Sequence, residues 1–497
     1  MHLAGASIFI WSTFFLMFFV LGEFNFRVPN EDFIIYSRIA YYNDMFGKEN
    51  TQTFYNLFDK NIPNEIYHFT EIWGMAFFKF IDNQSLIKNY FFLLSPIFCF
   101  ISFLGFKEIF PYSKTFVLLI ISILLLFIVF PYDLIPILGI SNLPLVGIGT
   151  TIFSLKNIFI LPIFILILLE LKKEKVDYIK ISIVTFLYPV VMPVVLGGLI
   201  FNIILFEKEK IKNLIFPVFI STFFVIYSYL GSSNDIIVNL SNLLDPKIVL
   251  KVIYISVFIP FLVLILLMKN QLIIAIFSRK FSIFVFLSLA ISIVLWILMY
   301  SNIDSNQMFR NTFHSIFILL IGIGIYQFWD SKNYKSLFLV IFIFILPFGI
   351  SNYKNNFILE PNGQILKSLI NITKGENILI IPGFKDVFRI YDFNERFYNP
   401  LNELYLSNEN LNLINISSSF PENLKLNSVV SQGMLRIYRD NSPFFQDCGE
   451  WSYQDLNCLV DFSKSKKINF LFSKEDIENP KFIIQDLSVS NYKLYRF

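Results

Sequence analysis

Two adjacent acids, Glu31 and Asp32, follow Pro29-Asn30 in the first long polar stretch of the chain, residues 25–80. The stretch also carries Arg27, Arg38, Glu65, His68, Glu71 and many aromatic side chains. Asn30 is a helix N-cap residue type, and Ile35, Ile39, Tyr42 and Phe46 then recur on one helical face. That places Glu31 and Asp32 in a first helical turn, where two acids complement the helix dipole by under about 1 kcal/mol. A carboxylate there could also act as a general base on a hydroxyl. His68 offers a second acid/base or a phosphate contact, or a structural hydrogen bond. Further on, Arg310 and His314 stand one helical turn apart and could share a face toward a phosphate. The alternative for Arg310 is snorkelling to an interface. Asp133 and Asp304 are weaker loop acids.

The elements that must position these residues are apolar. The 497 residues are 55% hydrophobic and only 15% charged, against about 25% charged in a soluble domain. Apolar runs fall at 4–22, 88–106, 115–131, 157–171, 181–195, 196–206, 213–230, 251–268, 281–300, 311–329 and 336–350. A bilayer crossing takes roughly 20 such residues. The fold class is therefore a polytopic α-helical membrane protein of about eleven spans, whereas a β-barrel would show short alternating segments. Tyr188-Pro189 and Met192-Pro193 interrupt 181–206, which reads as two short spans, one kinked span or a broken helix lining a cavity.

Basic residues orient the spans. With the N-terminus cytoplasmic, the inner loops hold Lys107, Lys114, Lys172, Lys173, Lys175, Lys180, Lys208, Lys210, Lys212, Lys269, Arg279, Lys280, Lys332 and Lys335. The short outer loops hold Lys156, Lys247, Lys251 and Arg310. This bias favours two crossings within 181–206 and puts residues 23–87 and the C-terminal region outside. The 4–22 run reads as a retained first helix, since no basic segment precedes it.

The domain reading is a membrane part, 1–350, with its first outer loop at 23–87, and an α/β part, 351–497, outside the membrane. Within the latter, 377–382 and 468–472 read as short buried strands. Thr70 opens a second amphipathic helix in the first loop, with Trp73, Phe77 and Phe80 on one face lying in the membrane interface. Cys448 and Cys458 flank the segment CGEWSYQDLNC and are candidates for a disulfide if that region is outside. The net charge of +3 gives no case for nucleic-acid binding. No cysteine or histidine spacing suits a metal, and no glycine-rich phosphate loop or cofactor motif is present.

The acidic pair just past the first helix, the amphipathic helices of the loop and the run Tyr67-His68-Phe69-Thr70-Glu71-Ile72-Trp73 form a pattern. With an outer C-terminal domain ending in KKINFLFSKEDI and YKLYRF, it resembles the membrane-embedded GT-C glycosyltransferases, such as bacterial arabinosyl- and mannosyltransferases. The resemblance implies an inverting transfer from a polyprenyl-phosphate sugar donor to a lipid, glycan or protein acceptor. It implies Asp32 or Glu31 as the catalytic base, and Arg38, His68, Glu71, Arg310 and His314 as substrate-binding residues. It also implies the bacterial cytoplasmic membrane as the location. The pair here is Glu-Asp rather than Asp-Asp or Asp-Glu, which leaves the base open between the two. An O-antigen-type polymerase or ligase and a lipid-linked glycan flippase are the alternatives. The first expects a large later outer loop and the second two related halves with broken helices.

Overall fold

The computed structural model describes residues 3–20, 26–28, 36–37, 39–40, 43, 69–82, 86–125, 155–231, 238–253, 278–300, 306–344, 357–359, 377–381, 412–415, 447–448, 456–465, 467–473, 483–489 and 492–496. They form two compact units. One comprises Met1–Leu16, Pro63–Gly74 and Tyr90–Lys354; the other comprises Met17–Ile62, Met75–Asn89 and Asn355–Phe497.

The first unit is helical. Its elements are α1 (Leu3–Phe15), the start of α2 (Phe69–Asp82), α3 (Leu86–Ile109) from Tyr90 on, α4 (Thr115–Leu124) and α5 (Leu155–Leu171). They continue with α6 (Tyr178–Ile183), α7 (Met192–Phe206), α8 (Lys210–Gly231), α9 (Pro246–Ile253), α10 (Arg279–Leu298), α11 (Gln307–Asp330) and α12 (Tyr334–Phe344). Among the described residues, five helical stretches are long and apolar enough to cross a membrane: Leu86–Ile109, Pro189–Phe206, Lys210–Tyr227, Arg279–Leu298 and Gln307–Asp330. This is the architecture of a helical membrane protein.

Side-chain contacts fix the helix directions. Phe98 meets Phe159 at 4.7 Å and Gly105 abuts Ile165, so α3 and α5 run parallel. Phe110 lies 3.9 Å from Tyr326 and Phe106 packs on Gly322, so α11 runs with them. The Ser278 hydroxyl donates to the Leu171 carbonyl (3.2 Å) and Phe164 meets Phe284, so α10 runs against α5. Asn202 donates to the Lys280 carbonyl (2.7 Å), and Gly198 lies under Phe284 and Ser288, so α7 runs against α10. Phe9 meets Phe116 while Phe15 meets Phe92, so α1 runs against α3.

These directions gather Lys107, Lys114, Lys172, Lys173, Lys175, Lys180, Lys208, Lys210, Lys212, Arg279, Lys280, Lys332 and Lys335 at one end of the bundle. The opposite end holds Arg310 and the 238–245 loop, where the Asn239 N–H donates to the Leu298 carbonyl (3.0 Å). Lys269 lies outside the described residues.

The interrupted segment is a helical hairpin. A 3-10 turn, Val184–Leu187, ends the first limb, and another, Pro189–Val191, begins the second. The break falls at Tyr188–Pro189, not at 195–196, because Pro189 has no N–H to continue the ladder. The first limb starts and the second finishes at the basic end, where the Tyr178 hydroxyl donates to Glu207 Oε1 (3.0 Å). At ten residues, the first limb rises about 15 Å. The second limb, Pro189–Phe206, is 18 residues and long enough to cross a membrane.

In the second unit, β1 (Phe26–Val28) pairs antiparallel with β2 (Phe357–Leu359), with Phe26 opposite Leu359. A five-stranded sheet follows: β3 (Asn377–Ile381), β4 (Asn412–Asn415), β5 (Ile468–Ser473), β6 (Ile483–Val489) and β7 (Tyr492–Arg496), in the order β4-β3-β5-β7-β6. β3 is parallel to β4 and β5, and β7 is antiparallel to β5 and β6. Helix α13 (Leu456–Ser465) packs on β5, burying Leu459, Val460 and Phe462. Cys448 and Cys458 form a disulfide, Cα atoms 5.9 Å apart. Both strands expected from the sequence are present, and the sheet carries three more.

Candidate functional site

The first turn of α2 buries an acid. Glu71 has no solvent exposure, and Ile72 beside it is equally enclosed. A carboxylate in an apolar helical bundle is costly to desolvate, and such residues mark ligand or ion sites by default. Here the Tyr90 hydroxyl donates to Glu71 Oε1 over 3.0 Å. Tyr90 is itself buried, its ring against Phe91 (5.1 Å) and Phe159 (5.6 Å). It opens a wide π-helical turn, Tyr90–Leu94, at the head of the apolar part of α3. Such turns widen the helix and frequently accompany functional sites.

A glycine lets α2 come this close. A Cβ on Gly74 would stand 2.8 Å from a methyl of Leu94, in the same π turn. The neighbour of Glu71, Thr70, donates its hydroxyl to the Leu187 carbonyl at the hairpin break. That carbonyl is open to an outside donor for a local reason. In a continuous helix it would receive the Val191 N–H, but that N–H bonds to Tyr188 instead (3.1 Å). The buried ring of Tyr188 closes the tip.

The site thus joins three pieces distant in sequence: the start of α2, the π turn of α3 and the reversal of the hairpin. It brings together a buried carboxylate, a buried phenol and a peptide carbonyl held by the Thr70 hydroxyl. Such a set can hold the hydroxyls of a polar head while apolar helices hold a tail, or it can accept and pass on a proton.

The other expected site residues separate. His314 is buried in α11, edge-on to Phe313 at 6.3 Å, and Arg310 one turn earlier is half-buried. They share a helix face, but His314 is enclosed by the bundle rather than open to lipid. Thr312 and Ser315 are buried beside it, and their hydroxyls have no partner among the described residues. α11 packs against the Pro189–Val191 turn. Glu31, Asp32, Arg38 and His68 lie outside the described residues, as do Asp133 and Asp304. Of the helix expected over 31–46, Tyr36, Ser37, Ile39, Ala40 and Asn43 are described, all buried. The interfacial face expected of α2 is exposed at Phe77 and Phe80, while Ile72, Met75 and Ala76 form its buried side.

Sequence reasoning placed Glu71 among the binding residues but missed Tyr90, Thr70 and the Leu187 carbonyl. A tyrosine heading an apolar run carries no signal of a partner 19 residues earlier. Among the described residues, no three of His, Cys, Asp and Glu converge as a metal would need. No family model, curated protein or solved structure matches the chain.

Proposed function

We propose that the chain is an integral membrane glycosyltransferase. It moves a sugar from a polyprenyl-phosphate donor to a lipid, glycan or protein acceptor at the extracytoplasmic face. The observation that carries this reading is Glu71, wholly buried and bonded to Tyr90, at the end of the bundle away from the basic loops. A lipid-linked sugar needs a desolvated polar group beside apolar helices, and the buried Glu71 supports that reading. In the proposed reaction Asp32, or Glu31, takes the proton of the acceptor hydroxyl as its oxygen attacks the anomeric carbon. The bond from that carbon to the phosphate oxygen breaks, and the polyprenyl phosphate leaves with the electron pair as an anion. Arg310, Arg38 and His68 are the proposed phosphate partners, with His314 behind Arg310. Glu71 holds the sugar hydroxyls, so positioning supplies part of the rate.

The proposed topology is an N-terminus inside, about eleven spans and the α/β domain outside, in the bacterial cytoplasmic membrane. The grouping of basic loops at one end supports it. So does the β1–β2 pairing, which requires both strands on one side and hence an even number of crossings between them. Reporter fusions at Lys173 and after Ser351 should report opposite sides. The activity test uses vesicles loaded with radiolabelled polyprenyl-phosphate sugar. Changing Glu31 and Asp32 together to Asn should lower transfer by roughly 10²–10⁴-fold with expression intact. Wild-type transfer by that variant would place the base elsewhere.

A second reading, a lipid-linked glycan flippase, is favoured by the hairpin, because broken helices beside buried acids also line transport paths. Movement of the labelled lipid across the bilayer without sugar transfer would select it.

A further inference from the structure

At the basic end of the bundle, α5, α6, α7, α8 and α10 meet in a braced polar layer. Glu207 Oε1 accepts from Tyr178 and from Lys280 (2.7 Å). Glu170 Oε1 accepts from Lys173 (2.7 Å) and Lys180 (3.1 Å), and Lys212 pairs with Glu209 (2.9 Å). That last bond, helped by nearby Lys175, holds the Glu209 carboxyl below the usual carboxylate range. These bonds set the 172–180 and 207–212 loops side by side. The acids of the layer are Glu170, Glu174, Asp177, Glu207 and Glu209. The bases outnumber them: Lys172, Lys173, Lys175, Lys180, Lys208, Lys210, Lys212, Arg279 and Lys280. Lys172, Lys175, Lys208 and Lys210 are exposed and, among the described residues, stand outside the ion pairs.

Directly beneath these lysines the surface turns apolar. α8 packs beside α6 and α7. Along that seam Ile179, Ile183, Leu205, Ile211 and Ile215 are each more than half exposed. The surface is cationic at the rim and greasy below. A polyanion alone would use only the rim.

We propose that this surface seats an anionic phospholipid of the adjoining leaflet. Its phosphate lies on Lys172, Lys175, Lys208 and Lys210, and its acyl chains run along the seam of α6 and α8. The charge matches the headgroup, and the strip below it matches the tails. The inference rests on the membrane assignment and not on the transfer reaction.

The test uses the full chain in neutral micelles, titrated with dioleoylphosphatidylglycerol or dioleoylphosphatidylcholine. Melting temperature and native mass spectrometry are the readouts. The anionic lipid should raise the melting temperature and stay bound in the spectrometer, and the effect should weaken with salt. Replacing the four lysines together by Gln should weaken its apparent affinity by about a hundredfold or more. The pairs K172Q/K175Q and K208Q/K210Q should each lower it about tenfold or more, which keeps the test open if the fourfold variant does not fold. An equal response to phosphatidylcholine overturns the proposal, as does full affinity in both paired variants. Displacement of the lipid by heparin, with equal stabilisation by heparin alone, would show a polyanion surface instead.

Discussion

The phenol of Tyr90 reaches across 19 residues of sequence to the carboxylate of Glu71, and neither group touches bulk water. A buried carboxylate deprived of a donor is penalised by about 1–3 kcal/mol. Tyr90→Phe should therefore lower the melting temperature in the wild-type background and much less in a Glu71→Leu background. A double-mutant cycle measures the coupling. Equal effects in both backgrounds would show that the bond contributes nothing.

Thr70→Val leaves the volume nearly unchanged and strands the Leu187 carbonyl. The expected loss is about 1 kcal/mol, and Thr70→Ser should retain most of the stability. Thermal melts of the three proteins check this. A Ser variant as weak as the Val variant would assign the effect to packing of the methyl group.

A side chain on Gly198 would meet the Ser288 hydroxyl and the Phe284 ring. Gly198→Ala should cost about 1–3 kcal/mol by overpacking the seam of α7 and α10. Ser288→Ala in the same chain should recover part of the loss, since it removes the nearest atom. No recovery would mean that the aromatic ring limits the approach.

Glu207 receives two donors on one oxygen, and its side chain is only 16% exposed. Glu207→Gln weakens both bonds and should cost about 1–3 kcal/mol, whereas Lys212→Gln, at an exposed pair, should cost under about 1 kcal/mol. Melting in detergent separates the two. Similar losses would mean that the brace at the hairpin base is no stronger than a surface ion pair.

Cys448 and Cys458 are bonded and Cys99 is buried as a thiol. Maleimide labelling after denaturation without reductant should modify Cys99, and labelling after reduction all three cysteines. Reduction of the native protein should weaken the C-terminal domain by roughly 2–3 kcal/mol. Labelling of Cys448 before reduction would show an open bridge.

The apolar helices were legible because a bilayer-length run is a one-dimensional signal. The hairpin was legible as an interruption, since Pro189 withdraws an N–H wherever it sits. Its reversal was legible from the lysines on either side, but the place of the turn, at Tyr188–Pro189 and not 195–196, was not, because two apolar limbs give no local mark of their junction. Strands β3 and β5 announced themselves as apolar runs between polar segments. β1 did not, being three residues beside a helix end. The site was half legible: an acid in a first helical turn is visible, but its burial depends on Gly74 allowing α2 against Leu94. His314 looked like a surface ligand from its position near the end of a span, and tertiary packing encloses it.

The pairing of Phe26 with Leu359 sets an order on assembly. The earliest strand to leave the insertion machinery has its partner behind every helix of the bundle. Until the last of them is placed, β1 has an unfilled edge and the second unit cannot close. Premature release would thus expose a nascent strand edge. The time for which it must be shielded is set by how fast the whole bundle is made, not by how fast the first loop can fold.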